Sequence, residues 1–369
     1  MSQHPKPLQA SGAVRQAIPA KVWAASFLIG AVLLVLPFVI GQLGGQGWIR
    51  IFNFALLYVM LALGLNIVVG FAGLLDLGYI AFYAVGAYVW AMLASPHFGL
   101  HLPFWVVLPL GILLAALAGM MLGFPVLRLR GDYLAIVTLG FGEIIRIFMN
   151  NLDAPVNITN GPQGINRIDT FRVGDFAFGR AETILGFRIT GPEKYYYLLM
   201  ALVLLIVFIC VRLQNSRIGR AWEAVREDEV AAKAMGINTR NMKLLAFAMG
   251  ASFGGVAGSL FASMQGFISP ESFGLGESIS ILCMVVLGGM GHVPGVIIGA
   301  LLLAVFPEFL RAVVVPLQQS VFGEVLVDPD AIRMLLFGFA LVLVMIFRPE
   351  GLWPSAVRKR ELHASKEGA

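Results

Sequence analysis

The sequence predicts an all-α polytopic membrane protein with about ten transmembrane helices, and not fewer than eight. Hydrophobic residues make up 59% of its 369 residues and charged residues only 13%, whereas a soluble chain carries about a quarter charged residues. The mean hydropathy is +0.84. The apolar residues also collect into blocks close to the ~20 residues that cross a bilayer core. Together these observations exclude a soluble domain.

Ten apolar blocks predict the spans in order. They are residues 22–40, 48–69, 71–94, 103–127, 132–149, 195–211, 242–264, 277–290, 294–310 and 331–347. The eighth block is short and ends in the run Gly288-Gly289-Met290-Gly291. It is therefore either a short span or a re-entrant helix, which the bilayer permits only where neighbouring helices bury it.

The distribution of Lys and Arg predicts the orientation of the chain. Bases concentrate at 128–130, in the 212–243 loop and after residue 347, whereas residues 95–102, 266–276 and 312–330 carry none; the 150–194 loop has five bases and five acids. This is the bias expected when the basic loops are cytoplasmic. We therefore expect a bacterial inner-membrane protein with both termini in the cytoplasm. The predicted parts are a tail at 1–21, a transmembrane domain at 22–347 with an external loop at 150–194 and a cytoplasmic loop at 212–241, and a tail at 348–369. Five spans on each side of the external loop suggest inverted repeats.

The formal charge of +5 reflects these basic loops, so we expect no nucleic-acid partner. Cys210 and Cys283 lie inside apolar runs, which argues against a disulfide framework and a thiolate metal site. His97 and His101 have the spacing of a metal pair, but no carboxylate or cysteine stands near them. The better interpretation is an external loop without a metal.

The stretch from residue 217 to 237 reads as one short amphipathic helix that ends at Gly236. Opposite charges stand at helical spacing in the pairs Glu223 with Arg220, Glu223 with Arg226, and Glu229 with Lys233. Such a helix either docks in the groove of a partner or lies on the membrane surface as a linker. The candidate contact residues are Arg220, Trp222, Glu223, Arg226, Glu227, Glu229, Ala232 and Gly236.

Ionisable residues inside predicted spans are candidates for a translocation path, because burying a charge in lipid is costly. Asp76 stands among Gly70, Gly73 and Gly78, where a helix can unwind; the alternative is that Asp76 caps the next helix. Glu143 and Arg146 are three residues apart on one helix, which favours a structural pair. The path candidates are Asn66, Asp76, Tyr79, Glu143 and Arg146.

Four segments carry a resemblance to a known family. The 217–237 stretch is similar to the coupling loop of ABC importer permeases, whose pattern is Glu-Ala-Ala, three residues, Gly; here Glu229-Val230-Ala231-Ala232 and Gly236 form a variant with one inserted residue. Residues 64–79, 130–140 and 286–291 resemble the LivH/LivM family of branched-chain amino acid permeases. The resemblance extends from about residue 62 to 311 and includes the Arg348-Pro349-Glu350-Gly351-Leu352 run.

The resemblance implies a permease that pairs with a homologous LivH-type permease, two cytoplasmic ATPases and a periplasmic amino acid binding protein. In agreement, no Lys follows a Gly, so the sequence lacks the Gly-Lys of a phosphate-binding loop. We expect the chain to be no enzyme and to bind no cofactor, with ATP and Mg on the ATPases. The substrate expected is leucine, isoleucine or valine. A permease for urea or short amides, and an ion-coupled transporter that uses Asp76 or Glu143, are the alternatives.

Overall fold

The computed structural model describes residues 33–41, 45–127, 129, 131–174, 176–184 and 187–322, and the single positions 335, 338, 339, 342, 346, 352 and 353. Both predicted tails therefore lie outside the described residues, apart from Leu352 and Trp353. The tenth predicted span also lies outside them except for isolated positions. Of the first predicted span, the structure describes only the helical segment 33–41, here α1.

Helices dominate the described part of the chain. The longer ones are α2 (Gln46–Asn66), α3 (Ile80–Leu93), α4 (Phe104–Val126), α5 (Asp132–Asn150), α6 (Gly191–Gln214), α9 (Thr239–Gln265), α10 (Leu275–Gly288) and α11 (Val293–Phe322). Two short helices, α7 (Arg217–Glu227) and α8 (Glu229–Ala234), join α6 to α9. In the described residues, six helical stretches are long and apolar enough to cross a membrane. The prediction of an all-α polytopic membrane protein is confirmed.

The second to ninth predicted spans each correspond to a helix, with two corrections at their ends. The third span was predicted to begin at residue 71, but residues 72–79 are not helical and α3 begins at Ile80. The ninth was predicted to end at residue 310 in an external loop, but α11 continues to Phe322. The first correction reflects the glycines of this segment, which weaken a helix. The second reflects the apolar run that continues past residue 310.

Helix α9 occupies the centre of the bundle, where it packs against α3 and α4. Small residues permit this close packing, as they do between membrane helices in general. A Cβ on Gly86 of α3 would lie only 2.2 Å from the carbonyl oxygen of Gly255 of α9. A Cβ on Gly258 would lie 2.0 Å from the carbonyl oxygen of Tyr83. The close packing of α3 against α9 therefore leaves no room for a side chain at Gly86 or Gly258.

The segment between α5 and α6, which the sequence predicted as an external loop, contains short strands. The strands are β1 (Ile165–Asn166), β2 (Arg172–Val173), β3 (Phe176–Ala177), β4 (Glu182–Ile184), β5 (Phe187–Ile189) and, after α9, β6 (Phe267–Ile268). Antiparallel pairs form between β1 and β6, β2 and β3, and β4 and β5. These strands mark one end of the bundle, the hairpin end; α7 and α8 mark the other, the α7–α8 end.

Helix α10 extends from the hairpin end to the α7–α8 end, and with the turn before it, Pro270–Gly288 is long and apolar enough to cross a membrane. A 3₁₀ turn (Pro270–Phe273) leads into α10 beside β6. At the opposite end, the carbonyl oxygen of Gly291 accepts a hydrogen bond from Gln214 Nε2 at the end of α6 (3.3 Å). Helix α11 then returns alongside α10, with Gly288 and Gly295 in close contact.

Candidate coupling site at two helix breaks

The first break follows α2. A π-helical turn, Ile67–Phe71, ends the helix, and residues 72–79 then run without regular structure to α3. Such π-helical turns are frequent at functional sites. Gly73 has φ +70°, a conformation that glycine adopts without strain. The predicted unwinding around Asp76 is confirmed.

Asp76 is fully buried in this unwound segment. Its Oδ1 accepts a hydrogen bond from the N–H of Gly78 (2.9 Å). Its Oδ2 has no hydrogen-bond partner among the described residues. The N-cap position of α3 is Tyr79 and carries no side-chain cap bond. The alternative that Asp76 caps α3 is therefore wrong, and the side chain instead closes a local turn.

Two hydroxyl side chains hold the unwound backbone at Leu77. The N–H of Leu77 donates to Oγ1 of Thr138 in α5 (3.0 Å), and its carbonyl oxygen accepts from Oγ of Ser278 in α10 (2.6 Å). A Cβ on Gly78 would lie 2.0 Å from the carbonyl oxygen of Thr138. Sequence reasoning missed Thr138 and Ser278, because a lone hydroxyl on an apolar helix carries no signal of its distant partner.

The second break lies between α10 and α11, at residues 289–292, and it contacts the first. Gly289 and Gly291 have φ of 112° and 83°. The N–H of Gly291 donates to Oδ1 of the buried Asn66 at the end of α2 (2.8 Å). A Cβ on Gly70 would lie 2.5 Å from the nitrogen of Gly291. The glycine-rich runs of the two halves of the chain thus meet at one point.

Arg226 of α7 joins this point to the loop between α6 and α9. Its Nη1 donates to the carbonyl oxygen of Gly70 (2.7 Å). The stem of the side chain lies against Gly73, where a Cβ would be 2.6 Å from Arg226 Cγ. A Cβ on Gly291 would be 3.2 Å from Arg226 Nη1. Arg226 therefore contacts the first break directly and lies beside the second.

The loop itself is two helices and not the single helix that the sequence predicted. Ser216 caps α7, accepting from the N–H groups of Ile218 and Gly219. Asp228 ends α7 in an extended conformation and caps α8, accepting from Val230 and Ala231. A strong N-cap residue at position 228 explains the break, because its side chain competes with continued helix.

Glu229, at the start of α8, connects the loop to α9 through an ion pair. Its carboxylate pairs with Nζ of Lys243 (2.8 Å) and of Lys233 (3.0 Å), which confirms the predicted Glu229–Lys233 pair. Thr239 also donates to it (3.2 Å). Burial raises the pKa of Glu229, but the hydrogen bonds from Lys243 and Lys233 outweigh burial and lower this pKa to about 2. The carboxylate therefore stays ionised at physiological pH.

Comparison with known proteins identifies the family. The family described as branched-chain amino acid transport system / permease component matches residues 47–345. The chain belongs to this permease family. It is 43% identical to the high-affinity branched-chain amino acid transport system permease protein LivM of Escherichia coli K12, over 89% of this chain and 74% of the relative. No solved structure matches the chain significantly.

More distant permeases are also similar to this chain. The permease protein BraD of Pseudomonas aeruginosa is 30% identical over 80% of this chain and 91% of its own length. The permease protein LivH of Salmonella typhimurium is 26% identical over 80% of this chain and 90% of its own length. The resemblance to the LivH/LivM family is thereby confirmed.

Two predictions about the permease loop are wrong in detail. Trp222 is not exposed for a partner: it is fully buried, and its Nε1 donates to the carbonyl oxygen of Met242 in α9 (2.8 Å). Among the described residues, Glu223 forms no ion pair with Arg220 or Arg226. Arg226 instead donates to the carbonyl oxygen of Gly70. Leaving this buried carbonyl group without a donor would cost free energy, whereas the exposed Glu223 carboxylate can be hydrated by water.

The remaining loop candidates divide into surface and interior positions. Arg220, Glu223 and Glu227 are exposed, and Ala232 is buried. Gly236 has φ +85°, and the next N–H, of Ile237, returns to the carbonyl oxygen of Ala232, which confirms the predicted C-terminal cap. The exposed apolar side chains here are Met235, at 83%, and Val230, at 63%.

The other path candidates of the permease lie away from the two breaks or face another helix. Tyr79 is buried, and its hydroxyl donates to the carbonyl oxygen of Gly250 in α9 (2.9 Å). Glu143 and Arg146 form the predicted pair, and Arg146 also bonds Glu271 in the 3₁₀ turn before α10 (3.1 Å). This cluster lies towards the hairpin end, so the structure does not bring it to Asn66 and Asp76.

The two histidines of the permease have separate partners. His97 lies 3.2 Å from the carbonyl oxygen of Asn157, and His101 bonds the Asp169 carboxylate. In the part of the chain that the structure describes, no cluster of His, Cys, Asp and Glu side chains has the arrangement of a metal site.

Proposed function

We propose that this chain is the transmembrane permease subunit of an ABC importer that moves leucine, isoleucine and valine into the cytoplasm. The observation that carries the proposal is the bond from Arg226 to the carbonyl oxygen of Gly70, because it connects a loop outside the spans to an unwound segment between them. The substrate follows from the relatives, whose printed names describe branched-chain amino acid transport.

In this proposal, two cytoplasmic ATPase subunits bind ATP and Mg, and this chain binds no cofactor. A LivH-type permease completes the membrane pair, and LivH of Salmonella typhimurium is itself similar to this chain. A periplasmic binding protein delivers the amino acid at the hairpin end. The chain lies in a bacterial inner membrane with both termini and the α7–α8 end in the cytoplasm, as the basic loops favour.

The ATPase contact in this proposal is the exposed surface of α7 and α8. The apolar side chains of Val230 and Met235 project there, and exposed apolar groups outside the spans favour a protein partner. The charged groups of Arg220, Glu223 and Glu227 surround them. Trp222 supports this surface from beneath by packing against α9.

The coupling mechanism then uses the two breaks as the moving parts. ATP-driven closure of the ATPases displaces α7 and α8, and Arg226 passes the displacement to Gly70. Discontinuous helices can change direction at such a break without disrupting a continuous ladder of hydrogen bonds. The contact of Asn66 with Gly291 carries the movement to α10 and α11. The bundle thereby alternates between outward and inward access.

Uptake into proteoliposomes tests the proposal. The vesicles hold this chain with its permease partner and both ATPases, and the binding protein is added outside. We expect leucine to accumulate only with internal ATP, and urea not to accumulate. Leucine uptake by this chain alone, driven by an ion gradient, would overturn the ABC mechanism. ATP-driven uptake of urea in place of leucine would overturn the substrate assignment.

A further inference from the structure

A cavity of about 530 Å³ opens beside the coupling loop, between the end of α4 and the start of α9. Three bases, Lys233, Arg240 and Lys243, and one acid, Glu229, line it. Its apolar wall comes from the last turn of α4, including Phe124.

The charges of the cavity do not balance. Glu229 is engaged by Lys233 and Lys243 together. Among the described residues, Arg240 has no ion-pair partner, and its guanidinium lies over the Phe124 ring, 5.1 Å from the ring centre. Three bases against one acid leave an excess of positive charge in a recess that is partly apolar. This chemistry suits an anion that carries a hydrophobic part.

An exposed apolar stripe of α4 leads into the cavity. Leu113, Leu117, Met121 and Phe124 stand three or four residues apart, so they share one helix face. All four are exposed, Phe124 at 61%. Because α4 is a membrane-span candidate, such an exposed apolar face is suited to contact with lipid acyl chains. Phe124, at the end of the stripe, lines the cavity together with Arg240 and Lys233. This order of apolar and basic groups matches the acyl chain and the phosphate of a lipid.

We propose that this cavity binds an anionic phospholipid of the cytoplasmic leaflet. Arg240 and Lys233 hold the phosphate, and an acyl chain follows the α4 stripe. Basic recesses between helices on the cytoplasmic side are suited to anionic headgroups. Lys233 also pairs with Glu229 of α8, so the bound lipid lies against the coupling loop. The binding itself requires neither ATP nor amino acid and is measured without them.

The test uses this chain purified with its permease partner and titrated with fluorescent phosphatidylglycerol. Phosphatidylcholine with the same acyl chains is the neutral comparison. We expect Arg240→Ala to weaken phosphatidylglycerol binding about fivefold, and Arg240→Lys to preserve it. Arg212→Ala is the matched control, because Arg212 also lies over an aromatic ring, Phe208 at 5.3 Å, but does not line the cavity. A photoreactive phosphatidylglycerol should label the end of α4 and the start of α9.

Several results would overturn the proposal. One is equal affinity for the two lipids. Another is equal weakening by Arg240→Ala and Arg212→Ala, which would indicate general attraction to basic residues. Displacement of the lipid by millimolar inorganic phosphate would show a site for a soluble anion. Labelling confined to other helices would show that the anionic lipid binds elsewhere.

Discussion

Arg226 Nη1 lies 2.7 Å from the carbonyl oxygen of Gly70, which joins the loop outside the spans to the π-helical turn that ends α2. A hydrogen bond from a charged donor is stronger than one between neutral groups. The side chain also lies beside Gly291 of the second break. Displacement of α7 must therefore act on both breaks or sever this bond.

A methyl group at Gly73 should disturb this contact. In Gly73→Ala, the new Cβ would lie 2.6 Å from Arg226 Cγ, at φ +70°. Gly99→Ala is the matched control, with φ +67° and open space around its Cβ. Both variants share a backbone strain of about 1–2 kcal/mol. We expect only Gly73→Ala to reduce leucine uptake severely; equal uptake in the two variants would contradict a role for the Arg226–Gly73 contact.

Loss of the Asn66 side chain should affect transport beyond its effect on stability. Asn66→Ala leaves the buried N–H of Gly291 without its acceptor, at a cost of about 1–3 kcal/mol. Asn53→Ala removes another buried amide of α2, whose Nδ2 donates to the carbonyl oxygen of Pro192 near the hairpin end. We expect both to lower the melting temperature of the complex, and only Asn66→Ala to lower leucine moved per ATP hydrolysed. Normal coupling in Asn66→Ala would exclude its role in joining the breaks.

Glu229 should be essential to the stability of the folded chain because its partner, Lys243, is buried. Glu229→Gln leaves the Lys243 side chain, only 6% exposed, without its counter-charge, and breaking a buried pair costs roughly 3–5 kcal/mol. The double variant Glu229→Gln with Lys243→Met removes both charges and should regain stability. Thermal unfolding measures both. A double variant no more stable than Glu229→Gln would show that the pair itself is not what stabilises the loop.

The Glu229–Lys243 pair also predicts that the stability of the folded chain depends on pH. The pKa of Glu229 is lowered from 4.5 to about 2 in the folded chain. A lowered carboxylate pKa stabilises the folded state above pH 4.5, and this contribution is lost as pH falls from 4.5 towards 2. Thermal melts of wild type and Glu229→Gln over this range should converge as the pH falls, because a protonated Glu229, like glutamine, leaves Lys243 without its counter-charge. A constant difference would contradict the assignment.

The exposed Met235 should contribute to ATPase binding. Met235→Asp places a charge where an apolar contact is proposed, while the position itself is 83% exposed and tolerates the change in folding. We expect ATPase co-purification to fall about tenfold or more, an energy of about 1.4 kcal/mol. Leu100→Asp, an exposed apolar position at the other end of the bundle, is the control and should have no effect. Unchanged co-purification in Met235→Asp would exclude this side chain from the interface.

The sequence predicts most of the helices and the place of the first break, because apolar blocks and clustered glycines are local signals. It misses the contacts that make the break a site. The hydroxyl groups of Thr138 and Ser278 meet Leu77 only after α5 and α10 pack against it. Likewise, the aromatic ring of Trp222 indicates an apolar contact, but the sequence cannot tell a partner protein from the chain's own α9.

Coupling between ATP hydrolysis and transport tests the central claim most directly. We would measure leucine moved per ATP hydrolysed in proteoliposomes, for Arg226→Ala and for Arg217→Ala, an exposed arginine of the same helix. We expect Arg226→Ala to continue to hydrolyse ATP while its leucine uptake falls about tenfold or more, since a hydrogen bond to a charged group is worth about 1.5–3 kcal/mol. Arg217→Ala should resemble wild type. A wild-type ratio in Arg226→Ala would contradict the proposed link between the loop and the breaks.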